Sequence, residues 1–87
     1  MIRKTMTIEN FEGLQSRPAA LLVQVAGKYT STIWIEQGSK RVNAKSIMGV
    51  LSLRLVRGDE FQIVARGDDE KQAVAALTRL VETGSAE

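Results

Sequence analysis

The spacing of apolar residues switches between two periods along this chain, and that switching constrains the fold more than any other feature. Close to the N-terminus, Ile2, Met6 and Ile8 alternate with polar residues. Because successive side chains of a strand point to opposite faces, the alternation predicts a strand with one buried face. Residues 10–13 break the pattern, so we expect a loop there.

The next segment has helical spacing. Ser16 is a suitable helix start, because a serine hydroxyl accepts a hydrogen bond from a free N–H group and Pro18 is tolerated in a first turn. Gly27 is a typical C-terminal stop. Between these limits, the apolar residues recur on one face of a helix: Leu21, Leu22, Val25 and Ala26.

A β-hairpin is predicted after this helix. Residues 30–36, TSTIWIE, are rich in β-branched and aromatic side chains, which favour strands. The turn-forming residues Gln37, Gly38 and Ser39 then return the chain into a second strand over residues 40–43. The two strands are therefore expected to pair with each other.

Two more helices and one strand complete the pattern. Ser46 is placed to cap a short helix over residues 47–53, and a strand over residues 61–66 follows and ends at Gly67. Asp69 and Gln72 resemble a capping box, in which two side chains satisfy N–H groups at a helix start. Apolar residues then keep helical spacing until Gly84: Ala73, Val74, Leu77, Leu80 and Val81.

The predicted order of elements is βαββαβα. Since each helix has one apolar stripe, the simplest arrangement is an α+β open-faced sandwich, with a four-stranded antiparallel sheet and three helices on one face. We expect a single domain over residues 1–87, with residues 84–87 as a frayed tail. A chain of 87 residues buries only about 60 to 65% of its unfolded surface, so surface recognition is expected rather than a deep cleft.

The chain lacks two residue types on which much protein chemistry depends. It contains neither cysteine nor histidine, so it has no thiolate nucleophile and no imidazole base or metal ligand. We therefore expect no enzymatic activity and no cofactor or metal. The N-terminus is charged and the sequence has no apolar run long enough to cross a membrane, so we expect a cytoplasmic protein without membrane contact.

The short helix predicted over residues 47–53 is unusually apolar. On a helical wheel, Val50 and Leu53 lie on one side, and the remaining large apolar residues lie on another: Ile47, Met48 and Leu51. One side must pack on the core. The other is either an exposed patch for a partner or a second buried face beneath a neighbouring loop, and the sequence leaves both interpretations open.

A serine at a helix start is usually only a cap, but Ser46 also suits phosphorylation. A phosphate there would lie beside the free N–H groups of Ile47, Met48 and Gly49, at the positive end of the helix dipole. The dipole contributes only about 0.3 to 1 kcal/mol, so a phosphate would change surface charge and hydrogen bonding more than shape.

Two motifs resemble HPr, the phosphocarrier family of the sugar phosphotransferase system. They are GLQSRPA at residues 13–19 and NAKSIMG at residues 43–49, and both fall where the βαββαβα order requires them. In that family the first motif carries a histidine that accepts a phosphoryl group. Here that position is Gln15, whereas Arg17 and Pro18 are kept. Because a carboxamide nitrogen is not nucleophilic, the sugar-transport relay is closed to this chain.

Glutamine together with an intact second motif resembles the regulatory branch of this family, the catabolite-repression HPr-like proteins of Bacillus-type bacteria. The resemblance implies that an HPr kinase/phosphorylase modifies Ser46 and that the phosphorylated form binds the LacI-type catabolite control repressor as a corepressor. DNA is then contacted by the repressor and not by this chain. The expected partner surface comprises Gln15, Arg17, Ala20, Gln24, Lys45, Ile47, Met48, Gly49 and Leu51.

Three other functions and the oligomeric state stay open. The same surface would also suit modulation of a metabolic enzyme, which the sequence does not distinguish from corepression. Direct nucleic-acid binding is disfavoured, because the net charge is only +2 and exposed aromatic residues are few, although a basic rim is conceivable: Lys40, Arg41, Lys45, Arg54 and Arg57. The intact second motif argues against a decayed phosphocarrier. A monomer and a weak dimer formed by exchange of the first strand are both compatible with the sequence.

Overall fold

The computed structural model describes residues 1–14 and 16–84, so Gln15 and the part of the predicted tail at 85–87 lie outside the described residues. The chain forms seven elements in the predicted order βαββαβα. They are β1 (Ile2–Thr7), α1 (Ser16–Ala26), β2 (Thr32–Gln37), β3 (Lys40–Asn43), α2 (Ile47–Ser52), β4 (Glu60–Arg66) and α3 (Glu70–Thr83). The predicted fold class is confirmed, with bounds that differ by one or two residues.

The four strands form one antiparallel sheet in the order β1-β4-β2-β3. The register places Met6 opposite Phe61, and Ile35 opposite Ile63. The β2–β3 hairpin turns at Gly38, whose φ of 60° suits the first central residue of a tight hairpin turn. Strands β1 and β3 are therefore the two edges of the sheet.

The core lies between the sheet and the three helices. Alternate residues of the central strands are fully buried on the helix side, as the period-two pattern requires: Ile33, Ile35, Phe61, Ile63 and Ala65. The helices cover them with apolar stripes that the sequence largely predicted: Leu22, Val25, Ala26, Val50, Ala73, Leu77, Leu80 and Val81. In α1, Ala19 is buried although it was not predicted, and Leu21 is only half-buried. None of the helices formed by the described residues is long and apolar enough to cross a membrane.

The opposite face of the sheet carries a charged network. Arg3 donates to Glu36 at 2.5 Å, and Arg41 Nε lies 2.7 Å from the second carboxylate oxygen of Glu36. The hydrogen bond from Arg3 lowers the pKa of Glu36 below its ordinary value. The guanidinium of Arg41 also lies 4.0 Å above the ring of Trp34. This face is thus covered by its own side chains, and none of the three helices in residues 16–84 packs on it.

The capping box predicted for α3 is wrong. Asp69 occupies the N-cap position but makes no side-chain capping bond. Its carboxylate instead accepts hydrogen bonds from the backbone N–H groups of Thr30 and Ser31 at 2.8 and 2.9 Å, and from the Ser31 hydroxyl at 2.5 Å. These bonds lower the pKa of Asp69 to about 2, with the Ser31 hydroxyl as the largest cause. The Asp69 carboxylate therefore binds the loop before β2 instead of capping its own helix.

The end of α3 agrees with the sequence. Gly84 takes the left-handed conformation with φ 74°, and its N–H group donates to the carbonyl of Leu80 at 2.8 Å. Nearby, the Asn10 amide donates to the carbonyl oxygens of Val81 and Glu82. Gly84 therefore closes the helix, although it was predicted to belong to the frayed tail.

Candidate functional site

Helix α2 exposes its second apolar side to solvent. Val50 is fully buried and Leu53 is 4% exposed, whereas Met48 is 75% exposed and Ile47 is 37% exposed. Leu51 is half-buried against the core. The interpretation in which both sides of this helix are buried is therefore wrong, and Met48 and Ile47 form an apolar patch available to another molecule.

Ser46 caps α2 as predicted. Its hydroxyl oxygen accepts a hydrogen bond from the N–H group of Gly49 at 3.2 Å, and its carbonyl accepts from Val50 at 3.0 Å. Ile47 and Met48 lie between Ser46 and Gly49 in the chain, and their N–H groups have no acceptor within the helix. Among the described residues, Gly49 is the hydrogen-bond partner of the Ser46 side chain, so no neighbouring base activates the hydroxyl.

Close packing against β3 fixes the position of this helix start. A side chain added at Gly49 would place its Cβ 3.3 Å from Cβ of Val42 and 3.4 Å from the Ser46 hydroxyl oxygen. Asn43, the last residue of β3, accepts from the Ser46 N–H group at 3.0 Å through its carbonyl and from the Lys45 N–H group at 2.8 Å through its side chain. The second motif is thus a turn that brings Ser46 to the edge of the sheet at β3.

The predicted residues of α1 occupy one exposed stripe. Arg17, Ala20 and Gln24 are all exposed, and their spacing of three and four places them on the same side of the helix. Helices α1 and α2 pack against each other, so both elements of the predicted surface are neighbours. Gln15 itself lies outside the described residues.

Lys45 connects two loops beside this site. Its ammonium group donates to the carbonyl of Tyr29 at 2.7 Å, while the side chain stays exposed. Tyr29 belongs to the loop between α1 and β2, so Lys45 links the start of α2 to the end of α1. An ammonium group has three N–H donors, so this contact leaves two for a partner.

The segment after α2 adds Arg54 and Val56 to the candidate surface, and neither was predicted there from the sequence. The N–H group of Leu14 donates to the carbonyl of Leu55 at 3.0 Å, and Gly13 bridges to Val56 beside it. A Cβ at Gly13 would lie 2.4 Å from that carbonyl oxygen, so only glycine permits this approach. The segment after α2 thus runs beside the loop that leads into α1.

Val56 and Arg54 are the exposed residues of this segment. Val56 is 49% exposed, and Arg54 is exposed with a left-handed backbone, φ 52°. The alternation of buried Leu53 and Leu55 with these two residues is the signal that predicts their exposure. From the sequence, Arg54 is expected only in the disfavoured basic rim. The candidate surface therefore extends beyond the two motifs.

The chemistry of the candidate surface is that of recognition. Its exposed groups are a hydroxyl, apolar side chains and cations, and the lowered carboxyl pKa values belong to Glu36, Asp69 and Glu70 elsewhere in the fold. In the part of the chain that the structure describes, no group of three or more acidic, histidine or cysteine side chains is arranged to hold a metal ion.

Comparison with known proteins points to the family suggested by the two motifs. Residues 2–83 match the family profile described as PTS HPr component phosphorylation site. The HPr-like protein Crh of Halalkalibacterium halodurans is 45% identical over 82 residues, which span 94% of this chain and 98% of that protein.

Solved structures agree in fold. The crystal structure of HPr-C-His from Thermoanaerobacter tengcongensis superposes with a TM-score of 0.94 at 48% identity, over 100% of this chain and 98% of that one. Crh of Bacillus subtilis, whose crystal structure is a dimer with swapped domains, superposes with a TM-score of 0.76 at 43% identity, over 94% of each chain. Crh and HPr proteins are thus similar to this chain to nearly the same degree.

Proposed function

The chain belongs to the HPr family, whose members are phosphoryl carriers and regulators rather than enzymes, and we propose that it is a regulatory member of the Crh type. In this proposal, an HPr kinase/phosphorylase phosphorylates Ser46, and a LacI-type catabolite control repressor binds the phosphorylated form. The observation that carries the proposal is the half-buried Ser46 at the start of α2, two residues before the exposed side chain of Met48.

Gln15 supports regulation over sugar transport. A phosphohistidine carrier needs an imidazole nitrogen, and the chain has no histidine at this or any other position. Phosphorylation of a serine hydroxyl by a kinase needs no imidazole on this chain. A hydroxyl with no base beside it is a suitable substrate for a separate kinase, which supplies its own catalytic groups.

The local structure supports a phosphate on Ser46 without refolding. Phosphate oxygens would take over the bond from the Gly49 N–H group and find the free N–H groups of Ile47 and Met48 nearby. Helix α2 has only six residues, so its dipole adds little. The modification would then act by adding negative charge and acceptor oxygens next to an apolar patch.

A repressor surface that fits this site combines an anion-binding group with an apolar pocket. An arginine or lysine of the partner would pair with the phosphate, and Met48 and Ile47 would fill the pocket. Arg17, Gln24 and Lys45 would contribute polar contacts at the rim. Phosphorylation-dependent binding would follow, because the apolar contact alone is small.

Phosphorylation in vitro tests the first half of the proposal. Incubation with an HPr kinase/phosphorylase and ATP, followed by mass spectrometry, is expected to show one phosphate on Ser46, and none on the Ser46→Ala variant. Ser52→Ala is the matched control, because Ser52 is an exposed serine of the same helix whose hydroxyl donates to the Gly49 carbonyl. A phosphate elsewhere, or none, would contradict the proposal.

Binding measurements test the second half. The phosphorylated protein is expected to bind the repressor, whereas the unphosphorylated protein and a phosphorylated Met48→Asp variant are expected to bind much more weakly. Equal binding of the two phosphorylation states would refute the corepressor role. Phosphorylation-dependent capture of a metabolic enzyme without the repressor would favour the alternative regulatory role.

A further inference from the structure

A groove runs along the outer edge of the sheet, between β1 and α3, on the side away from Ser46. Its volume is about 430 Å³, and its lining includes Ile2, Lys4, Lys71, Val74, Thr78 and Arg79. Ile2 and Val74 make the floor apolar, and the three basic residues lie along it. We call this the edge groove.

One wall of the edge groove is a strand that lacks a partner on one side. Strand β1 pairs with β4 only, so within the described residues its outer edge presents backbone N–H and C=O groups to solvent. Such an edge is a template onto which an extended segment can add as a further strand. The six residues of β1 would accommodate a segment of similar length.

The side chains around the edge groove define the chemistry of that segment. Lys4, Lys71 and Arg79 are exposed cations, and among the described residues that line the groove Glu82 is the acid. The hydroxyl of Thr78 is buried and has no hydrogen-bond partner among the described residues, so a polar group entering the groove would satisfy it. The fitting segment carries acidic side chains alternating with apolar ones.

From this arrangement we propose that the edge groove binds an extended acidic segment of a partner protein by strand addition to β1. A second copy of this chain is a poor occupant, because an antiparallel β1–β1 pairing centred on Lys4 would place the Lys4 ammonium groups of both copies directly opposite each other. The Lys4 ammonium group, which opposes self-association, attracts an acidic strand.

The edge groove and the Ser46 site lie at opposite edges of the sheet. Helix α2 packs on β3, one edge strand, and the groove follows β1, the other. A partner segment at β1 would therefore leave Ser46 and Met48 free. Both sites would be occupied at once, so the chain would link an acidic partner to whichever protein reads Ser46.

A labelled peptide tests strand addition directly. The probe is a fluorescent hexapeptide of alternating valine and glutamate, whose binding is followed by fluorescence anisotropy at low salt. Amide shifts of the ¹⁵N-labelled protein are expected to cluster in β1 and α3. The same peptide with an N-methyl group on every residue keeps its charge but has no backbone donor on either edge, so its binding is expected to disappear. Equal binding of the methylated peptide would overturn strand addition.

Charge reversal tests the role of the cations. The double variant Lys71→Glu with Arg79→Glu is expected to weaken peptide binding by about tenfold, since both changes replace attraction by repulsion. Lys28→Glu with Lys40→Glu is the matched control, because it changes the net charge equally at exposed residues away from the groove. Equal weakening by both pairs, or amide shifts centred on α2, would refute the proposed site. All substituted residues are exposed, and circular dichroism would verify the fold of each variant.

Discussion

Helix α2 follows Ser46 and helix α3 follows Asp69, and both residues belong to the types preferred at a helix start. Ser46 does cap its own helix, through the N–H group of Gly49. Asp69 does not cap α3, because its carboxylate is bound to Thr30 and Ser31 in the loop between α1 and β2. One residue acts locally, and the other joins two distant segments.

This difference has a consequence for function. A local cap needs one hydrogen bond, so the Ser46 hydroxyl can be modified while the sheet and the other helices keep their contacts. The Asp69 carboxylate holds three hydrogen bonds at once, so any change there disturbs the packing of α3 against the loop before β2. A regulatory mark is therefore compatible with the start of α2 and not with that of α3.

The largest expected effect comes from the glycine beside Asp69. Gly67→Ala would place a Cβ 2.5 Å from the Ser31 hydroxyl oxygen at a residue with φ 154°. We expect a loss of about 3 kcal/mol in the free energy of unfolding, measured by urea denaturation. Gly49→Ala, at the start of α2, meets its nearest atom at 3.3 Å and is expected to cost less than about 1 kcal/mol. Equal losses would remove the distinction between the two helix starts.

Asp69→Asn is expected to rank next. The amide cannot accept all three hydrogen bonds as a carboxylate does, so the free energy of unfolding at neutral pH should fall by more than for Ser46→Ala. The folded pKa of about 2 lies below the ordinary value of 3.8, so the stabilisation is complete above pH 3.8 and is lost as the pH falls through 2. Urea denaturation from pH 6 to pH 2 should show the gap to the Asn variant closing. A constant gap would contradict this account.

Ser46→Ala is expected to cost about 1 kcal/mol, the usual loss when a serine cap is removed. Ser46→Asp restores an acceptor at the same position and should recover most of that stability. Thermal unfolding of the three proteins would measure both changes. A loss as large as that of Gly67→Ala would mean that Ser46, too, has a role in long-range packing.

The smallest effect is expected just beyond the end of α2. Arg54 has φ 52°, a conformation that costs a residue with a side chain about 1 kcal/mol relative to glycine. Arg54→Gly should therefore raise the free energy of unfolding by about 0.5 to 1 kcal/mol. Arg54→Ala removes the same charge but keeps the strain, so it should bring no gain. A rise in the free energy of unfolding for Arg54→Ala would mean that removal of the charge, and not relief of backbone strain, stabilises the fold.

Periodicity was sufficient for most of the fold. The alternation was confirmed at Met6 and Ile8, which are buried, and in part at Ile2, which is half-buried. The helical spacing of Leu77, Leu80 and Val81 was confirmed too, because both patterns depend on which side chains must leave water. The cap at Ser46 was also confirmed, because it depends only on neighbouring residues. Its donor lies three residues away, within the same turn of chain.

The surface around Ser46 was predicted in part. Met48 and Ile47 are exposed, as one of the two interpretations of the helical wheel required. Val56 was missed, although its alternation with buried Leu53 and Leu55 signals that it is exposed. What the sequence does not contain is its position beside the loop before α1, which is set by the bridge to Gly13, a residue 43 positions earlier in the chain. Which proteins bind this surface stays a prediction until the phosphorylated protein is tested.

By itself, the sequence determined the order of the elements, the side of each that is buried, and the absence of any histidine to carry a phosphoryl group. These properties follow from residue type and short-range spacing. Only the tertiary structure decided that Asp69 binds the loop at Ser31, that α2 leaves Met48 in solvent, and that β1, within the described part of the chain, pairs with a strand on one side only. Each of these depends on segments 20 or more residues apart coming into contact or failing to do so, and local propensity carries no information about such distances.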